Sequence, residues 1–189
     1  MARPYAAVEP GAAAAAAYVT HKVLPLDRSG LGQLQVHSIQ AAEAFHAAAE
    51  RFSADVADAC RVAVPFAPDS NLVCLALNPA GNRDLAAASA FVRQLHQGLK
   101  SDPSQPLQVR EYFGSVTTLH VDGLDPDDLA RIVERLDLDP PVGEGDACLV
   151  ILRHTLMNPY LVDHENGISY IDGYFKHLTA RVRALAGAR

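Results

Sequence analysis

The sequence predicts an α/β (α+β) domain in which helices pack on a sheet, preceded by two further helices. Three observations lead to this fold class. Several segments carry apolar residues every three or four positions, which is typical of amphipathic helices. Short runs rich in apolar and β-branched residues lie between these segments and are typical of strands. The resulting order is two helices followed by ββαβαβα, and such an alternation places helices against a sheet.

The two opening helices differ in composition. Residues 11–24 are rich in alanine and lie between Pro10 and Pro25, which suit a helix start and a helix stop. We expect this alanine-rich helix to lie close to a neighbouring element. Residues 31–59 show one apolar stripe and one polar stripe, which indicates a helix with one face in contact with other elements and the other in water.

In the middle of the chain, the spacing of apolar residues changes from a helical to a strand-like period. Residues 61–66 and 70–78 predict two strands, the second largely buried. Asp84 is a suitable N-cap for a helix that runs to Leu99. A segment rich in proline and serine, residues 101–106, then predicts a loop.

The last part predicts two more strand and helix pairs. Residues 110–121 have the β-branched and aromatic content of a strand, and a short helix follows from Asp125 to Leu136. Residues 139–146 form a loop rich in proline, glycine and acids, and residues 147–156 predict a buried strand. A final helix is predicted over 168–186.

The overall charge and cysteine usage exclude several function classes. The formal net charge is −6, so the chain has no basic field that would gather nucleic acid. We expect no signal peptide and no membrane span, because no apolar run reaches the required length. Cys60, Cys74 and Cys148 are widely spaced in or beside apolar runs, which favours reduced thiols in a cytoplasmic protein.

Common catalytic and metal-binding motifs are missing from the sequence. The eight histidines form no HExxH motif and are accompanied by no CxxC motif, so we expect no metal site. His37 and His46 are placed on helix faces, and His96 and His177 near helix C-termini, where a surface role is expected. Residues 163–167 resemble a calcium loop only faintly and are interpreted as a helix-entry loop. The chain also has no GxSxG elbow, P-loop or GxGxxG turn.

Arg153 is the most unusual residue, because it interrupts an apolar predicted strand. A guanidinium buried there needs an anion or hydrogen-bond acceptors, and a ligand carboxylate would serve. The alternative is that Arg153 reaches the strand edge or pairs with an acid such as Glu111. The two Asn-Pro turns, at 78–79 and 158–159, are explained by turn chemistry alone.

Four strings together resemble the C-terminal portion of group II pyridoxal-phosphate-dependent amino acid decarboxylases, the family of the glutamate, aromatic amino acid and tyrosine decarboxylases. The strings are LRHTLMNPYL (152–161), SNLVCLALNPAGN (70–82), REYFGSVTTL (110–119) and PGAAAAAAYVTHKVLPLDRSG (10–30). The resemblance extends over nearly the whole chain. Its most specific element is the spacing from Arg153 to Asn158-Pro159.

The resemblance implies the small C-terminal domain of a type I aminotransferase-like fold. Residues 1–60 would match helices that leave the large domain, and residues 61–189 would match the small domain. Arg153 stands in a context similar to that of an arginine that holds the substrate carboxylate in glutamate decarboxylases. Pyridoxal phosphate would be the cofactor of the complete enzyme, a carboxy-lyase of amino acid metabolism.

The lysines depart from the family pattern. The chain has three, Lys22, Lys100 and Lys176, and none matches the family's Schiff-base lysine. His21-Lys22 has the family's catalytic dipeptide but falls in a later, non-catalytic segment. The resemblance therefore implies that this chain anchors no cofactor, supplies Arg153 for substrate binding, and does not catalyse alone.

The expected partner is a cofactor-bearing large-domain chain or segment, in a homo- or hetero-oligomer without nucleic acid or membrane. Two alternatives stay open. The chain could be a non-catalytic decarboxylase remnant that acts in assembly or regulation. It could also be a small ligand-binding α/β domain of another origin, which surface pairing of Arg153 would favour.

Overall fold

The computed structural model describes residues 10–100, 104, 106, 111–141, 147–158, 160–163 and 166–187. Within these residues the elements run in the order α1 (Pro10–Val23), α2 (Leu31–Asp55), β1 (Cys60–Ala63), β2 (Leu72–Pro79), α3 (Leu85–Gln97), β3 (Ser115–His120), α4 (Pro126–Leu136), β4 (Cys148–Thr155), β5 (Val162–Asp163), β6 (Ile168–Ser169) and α5 (Tyr170–Gly187). A single 3₁₀ turn, Val121–Gly123, lies between β3 and α4. Apart from β5 and β6, the predicted order is confirmed, as is the mixed α+β class.

The main sheet has four antiparallel strands in the order β1-β2-β4-β3. β4 occupies an inner position and pairs with β2 on one side and β3 on the other. Along β4, Arg153 lies opposite Cys74 of β2 and opposite Ser115 of β3. This register places the end of β4 beside the beginning of β3. A separate two-stranded hairpin, β5–β6, leads into α5 and was not predicted, because two-residue strands carry no periodic signal.

Buried side chains cover both faces of the sheet. On one face, Val73, Leu75 and Leu77 pack with aromatic residues of α2 and α5. On the other face, Ala76 and Ile151 pack with α4. Because alternate residues of a strand point to opposite faces, inner strands that are covered on both sides read as continuous apolar runs. This explains the unbroken apolar sequence of β2 and of most of β4.

Two polar side chains sit fully inside this fold and are satisfied. Asn78 donates from Nδ2 to the carbonyl oxygens of Asn82 at 2.7 Å and Leu136 at 2.8 Å. It thereby ties the end of β2 to the turn that follows it and to the end of α4. Ser89 of α3 donates to the Cys148 oxygen at 2.9 Å and accepts from the Val150 nitrogen at 3.1 Å. Both residues hold neighbouring elements together by hydrogen bonds that water cannot replace.

Several predicted boundaries were too long. The second helix was predicted to residue 59 but ends at Asp55, because the dihedral angles of Val56, φ −108° and ψ 11°, are no longer helical. The strand predicted over 110–121 covers only Ser115–His120, and the final helix begins at Tyr170, after the β5–β6 hairpin. The loops predicted over 101–106 and 139–146 lie mostly outside the described residues.

Helix α1 contacts the rest of the fold little, and the described side chains from Gly11 to Val23 are exposed. A tight turn connects it to α2: the Leu31 nitrogen donates to the Pro25 oxygen at 2.8 Å. Gly30 is required there, since a Cβ would collide with that same Pro25 oxygen. The division of the chain at residue 60 stays a prediction, although α2 packs against α5 in the core.

Candidate functional site

A groove of about 390 Å³ opens at the end of the sheet where β4 ends and β3 begins. Side chains from α2, from the segment before β3, from β4 and the turn after it, and from the start of α5 form its walls. The described lining residues are Phe45, Tyr112, Phe113, Gly114, Ser115, Arg153, His154, Thr155, Leu156, Met157, Asn158, Leu161, Tyr170, Ile171 and Tyr174. Nine of them are aromatic or apolar, and Ser115, Arg153, His154, Thr155 and Asn158 add polar groups, a mixture that suits a small-molecule site.

Arg153 is exposed on the wall of this groove, so the prediction of a guanidinium buried within an apolar strand was wrong. The continuous buried stretch of β4 ends at Leu152, and Arg153 points to the sheet face opposite the one that α2 and α5 cover. The Nε of Arg153 donates to Ser115 Oγ at 3.3 Å, and that hydroxyl donates to the Arg153 carbonyl oxygen at 3.1 Å. Arg153 is thus exposed near the end of β4, although β4 is an inner strand and the residue pairs with β2 and β3 on either side.

The alternative of a salt bridge between Arg153 and Glu111 is not what the structure shows. Glu111 instead lies 3.7 Å from His177 Nδ1. Among the described residues that line the groove, Arg153 is the one that carries a formal charge at neutral pH. Its Nη1 and Nη2 atoms point to no acid among the described ion pairs, and together they present the fork geometry that suits a carboxylate.

His154 and Tyr174 form a second polar group in the groove. His154 Nδ1 lies 3.2 Å from the Val73 carbonyl oxygen, and its Nε2 lies 2.6 Å from the Tyr174 hydroxyl. Burial lowers the pKa of His154 to about 4 and raises the pKa of Tyr174 well above its ordinary value. Both side chains are therefore neutral at physiological pH.

Aromatic rings hold this pair in place. The Phe45 ring lies 4.6 Å from the His154 ring and 5.8 Å from the Tyr174 ring, measured between centroids. Tyr112 contacts the Tyr174 ring edge-on at 5.5 Å. Such contacts add to the area burial and fix the orientation of the rings. Neither His154 nor Tyr174 was predicted to be a site residue, and the signal available in the sequence was the polar His154 beside Arg153 in an apolar strand.

The other histidines named from the sequence do not gather into a site. His37 is exposed on α2, and His46 lies on the same helix 4.0 Å from Glu50. His96 Nε2 contacts the Gly114 oxygen at 3.2 Å near the end of α3. His177 was expected near a helix C-terminus but lies in the middle of α5. Within the part of the chain that the structure describes, no three His, Cys, Asp or Glu side chains converge as metal ligands.

The remaining predictions concern the cysteines, residues 163–167 and membrane-spanning helices. Cys60, Cys74 and Cys148 are free thiols, and burial raises the pKa of Cys60 to about 12. The loop interpretation of 163–167 falls partly outside the described residues. No helix in the described ranges is both long and apolar enough to cross a membrane.

Pyridoxal phosphate does not fit this groove on its own. A site for it requires a lysine that reaches the carbonyl carbon of the cofactor and groups that hold the ring and the phosphate. The Nζ of Lys22 lies 5.5 Å from the Tyr18 ring on exposed α1. Lys100 is exposed after α3, and Lys176 lines a different depression beside Arg51. No lysine and no acid is found among the described lining residues of the groove.

Fold and groove together define a small α+β domain with a cationic, aromatic-walled site that suits an organic carboxylate. No family model matches the chain. Over 157 residues it is 30% identical to an L-tyrosine decarboxylase from Enterococcus faecium. It is also 28% identical over 158 residues to an L-tyrosine decarboxylase from Levilactobacillus brevis, and 27% over 159 residues to one from Enterococcus faecalis.

These alignments cover 81–82% of this chain but only 25% of each relative. The chain thus spans about a quarter of the length of the curated relatives that it matches. The comparisons support a relationship to one part of a decarboxylase.

Proposed function

We propose that this chain is the C-terminal portion of a pyridoxal-phosphate-dependent amino acid decarboxylase and that Arg153 binds the carboxylate of its substrate. The observation that carries the proposal is the exposed guanidinium of Arg153 in a groove whose described lining residues include no acid. The names of three relatives, each an L-tyrosine decarboxylase, support the reaction class.

The role of Arg153 follows from its hydrogen bonds. Ser115 Oγ accepts from Nε and thereby restrains the plane of the guanidinium. Nη1 and Nη2 remain for two parallel hydrogen bonds to a carboxylate, which bind more strongly than neutral contacts do. The aromatic walls would exclude water from the remainder of the ligand.

The cofactor belongs to the partner in this proposal. Pyridoxal phosphate supplies the electron sink that decarboxylation needs, and a large-domain chain or segment would hold it. We propose that this chain supplies substrate binding and closes one side of a composite site, without a Schiff-base lysine of its own. The assembly would be a homo- or hetero-oligomer in the cytoplasm.

A chimaera tests the proposal. The quarter of the Enterococcus faecium enzyme that aligns with this chain is replaced by the full chain, and release of labelled carbon dioxide is measured with carboxyl-labelled amino acids, L-tyrosine first. We expect decarboxylation above that of the enzyme without this quarter. A folded chimaera that binds pyridoxal phosphate but releases no carbon dioxide from any amino acid would contradict the proposal.

A second candidate function is a non-catalytic remnant that acts in assembly or regulation. The observation that favours it is a series of exposed apolar residues on α1, on the turn after it and on the first half of α2: Tyr18, Val19, Val23, Leu26, Leu31, Leu34, Val36 and Ile39. Where exposed apolar side chains form one patch, they mark an interaction site. The chimaera experiment distinguishes the two candidate functions, because only the decarboxylase proposal requires release of carbon dioxide.

A further inference from the structure

The two outer strands of the main sheet, β1 and β3, differ in how their free edges are covered. On the outer side of β1, the Val62 oxygen accepts a hydrogen bond from Ser53 Oγ at 3.4 Å. Just beyond β1, the Val64 oxygen accepts from Arg135 Nη1 at 3.5 Å. Backbone groups that are occupied in this manner cannot pair with a further strand, so the edge of β1 is protected.

The register of β3 fixes which of its backbone groups point outward. The Val121 nitrogen donates to the Ala147 oxygen at 2.9 Å, so these residues form a hydrogen-bonded pair where the β3–β4 ladder ends. Such pairs alternate along an antiparallel ladder. Every second residue of β3, counted back from Val121, therefore bonds to β4. The residues between them point their N–H and C=O groups away from β4: Val116, Thr118 and His120.

The edge of β3 is covered only at its beginning. The Gly114 nitrogen donates to the Leu99 oxygen at 3.0 Å, and the Gly114 oxygen lies 3.2 Å from His96 Nε2, so the end of α3 occupies this position. Among the described hydrogen bonds, the three outward residues of β3 have no backbone partner on this side. The six residues of β3 also include no proline and no formal charge, the features that commonly keep an edge strand unpaired.

We propose that β3 of one copy of this chain pairs antiparallel with β3 of a second copy, so that two four-stranded sheets become one continuous sheet. A two-fold axis beside Thr118 pairs all three outward residues: Thr118 lies opposite Thr118 of the other copy, and Val116 lies opposite His120. Each of the three pairs exchanges two backbone hydrogen bonds. The pairing involves neither Arg153 nor a cofactor, so it is independent of the proposed function.

The side chains of β3 suit a second copy of the same strand. About this axis Thr117 lies opposite Leu119, and Thr118 opposite itself, and β-branched and apolar residues pair favourably across strands. Each copy carries a formal net charge of −6, but the two copies meet at an uncharged strand. Contact through one pair of short strands buries less area than a standard interface does, so we expect a weak dimer that dissociates on dilution.

Amide hydrogen exchange, followed by NMR at increasing concentration of the full chain, tests this pairing. Exchange should slow at the outward amides of Val116, Thr118 and His120 as the chain dimerises. Exchange at Thr117 and Leu119 should stay constant, because their amides bond to β4 in every copy. Outward amides that are protected at every concentration would show that the edge is covered within one copy. That result, or exchange that no concentration slows, would overturn the proposal.

Thr118→Pro removes the outward N–H at the two-fold axis. The bonds to β4 remain, because this N–H takes no part in them, and edge strands tolerate proline at such positions. Two hydrogen bonds per dimer are lost, so sedimentation equilibrium should show self-association weakened at least about tenfold. Thr118→Val is the matched control, since it keeps the N–H and should dimerise like the unsubstituted chain. A dimer that Thr118→Pro leaves intact would place the contact elsewhere and contradict the pairing of β3.

A charge exchange at residue 118 tests the two-fold symmetry, even where the proline variant does not fold. Thr118→Lys and Thr118→Glu should each dimerise more weakly than the unsubstituted chain, because like charges meet across the axis. An equimolar mixture of the two variants should restore the dimer. Gln94→Lys, which adds the same charge on the exposed face of α3, should leave dimerisation unchanged. Single variants that dimerise normally, or a mixture that stays monomeric, would exclude this axis.

Discussion

His154 Nε2 accepts a hydrogen bond from Tyr174 Oη at 2.6 Å, and this contact joins β4 to α5 beside the groove. The two residues are separated by twenty positions in the sequence. The same imidazole donates to the Val73 oxygen of β2, so one side chain links three elements. The geometry of the groove and the stability of the fold therefore both depend on a neutral His154.

The first prediction concerns the pH dependence of stability. The pKa of His154 is about 4 in the folded state, against about 6.5 for an unperturbed histidine. As the pH falls through 6.5, the unfolded chain takes up a proton that the folded chain does not, so stability falls until the pH reaches about 4. Between pH 7.5 and pH 5.5 we expect this residue to account for about 1 kcal/mol of lost unfolding free energy.

Urea unfolding at the two pH values measures this effect in the unsubstituted chain and in His154→Gln. The variant should lose about 1 kcal/mol less than the unsubstituted chain. His37→Gln is the matched control, because His37 is exposed on α2, away from this contact. An identical pH dependence in the unsubstituted chain and in His154→Gln would show that His154 is not shielded from protons.

The second prediction concerns Asn78. Asn78→Ala removes a fully buried amide and leaves the Leu136 oxygen without its 2.8 Å donor. We expect a loss of about 2–4 kcal/mol in the free energy of unfolding, measured by urea titration. Asn71→Ala is the control: its amide makes a longer bond of 3.4 Å to the Leu156 oxygen, and the loss should stay below about 1 kcal/mol. Equal losses of unfolding free energy in Asn78→Ala and Asn71→Ala would show that the buried hydrogen bonds of Asn78 do not stabilise the fold.

The third prediction concerns Ser89. Its hydroxyl serves two backbone groups of β4, the Cys148 oxygen and the Val150 nitrogen, at a point where the residue is buried. Ser89→Ala should reduce the free energy of unfolding by about 1–3 kcal/mol and should speed hydrogen exchange at the Val150 amide. Ser53→Ala, which removes one bond of 3.4 Å to the Val62 oxygen, should have the smaller effect.

The fourth prediction concerns the stability of Arg153 variants. The side chain is exposed and hydrogen-bonds only to Ser115 among its described side-chain contacts. Arg153→Met should therefore change the free energy of unfolding by no more than about 0.5 kcal/mol. Arg93→Met, an exposed substitution on α3, is the matched control. A loss of several kcal/mol in Arg153→Met alone would indicate a structural role instead of a ligand contact.

Local signals predicted most of the fold. Asp84 caps α3 by accepting from the Ala87 nitrogen at 2.6 Å, and Asp125 caps α4 in the same manner. The N-termini of α3 and α4 could be predicted from neighbouring residues, because a capping side chain bonds to the backbone two or three positions away. The order of the longer strands and helices followed from hydrophobic period, residue composition and turn residues, whereas the β5–β6 hairpin was not predicted. Helix and strand ends were less predictable, since tertiary contacts decide where an element stops.

The site could be predicted only in part. Arg153 was recognised as anomalous, but its exposure depends on which face of the sheet the helices cover, which no local pattern encodes. His154 and Val73 come together through the antiparallel register of β2 and β4, and Tyr174 reaches them from the last helix. The strand register and the position of the last helix determine which side chains meet in the groove. The pair of His154 and Tyr174 was therefore not identified from the sequence.

We propose that Arg153 binds the substrate carboxylate in a composite decarboxylase. The most direct measurement is the Michaelis constant of the chimaeric decarboxylase with and without Arg153→Met. Arg153→Met should raise the Michaelis constant at least about tenfold, because a charge-assisted pair of hydrogen bonds is lost, and should leave the free energy of unfolding unchanged. An unchanged Michaelis constant, or a loss of stability with unchanged kinetics, would contradict it.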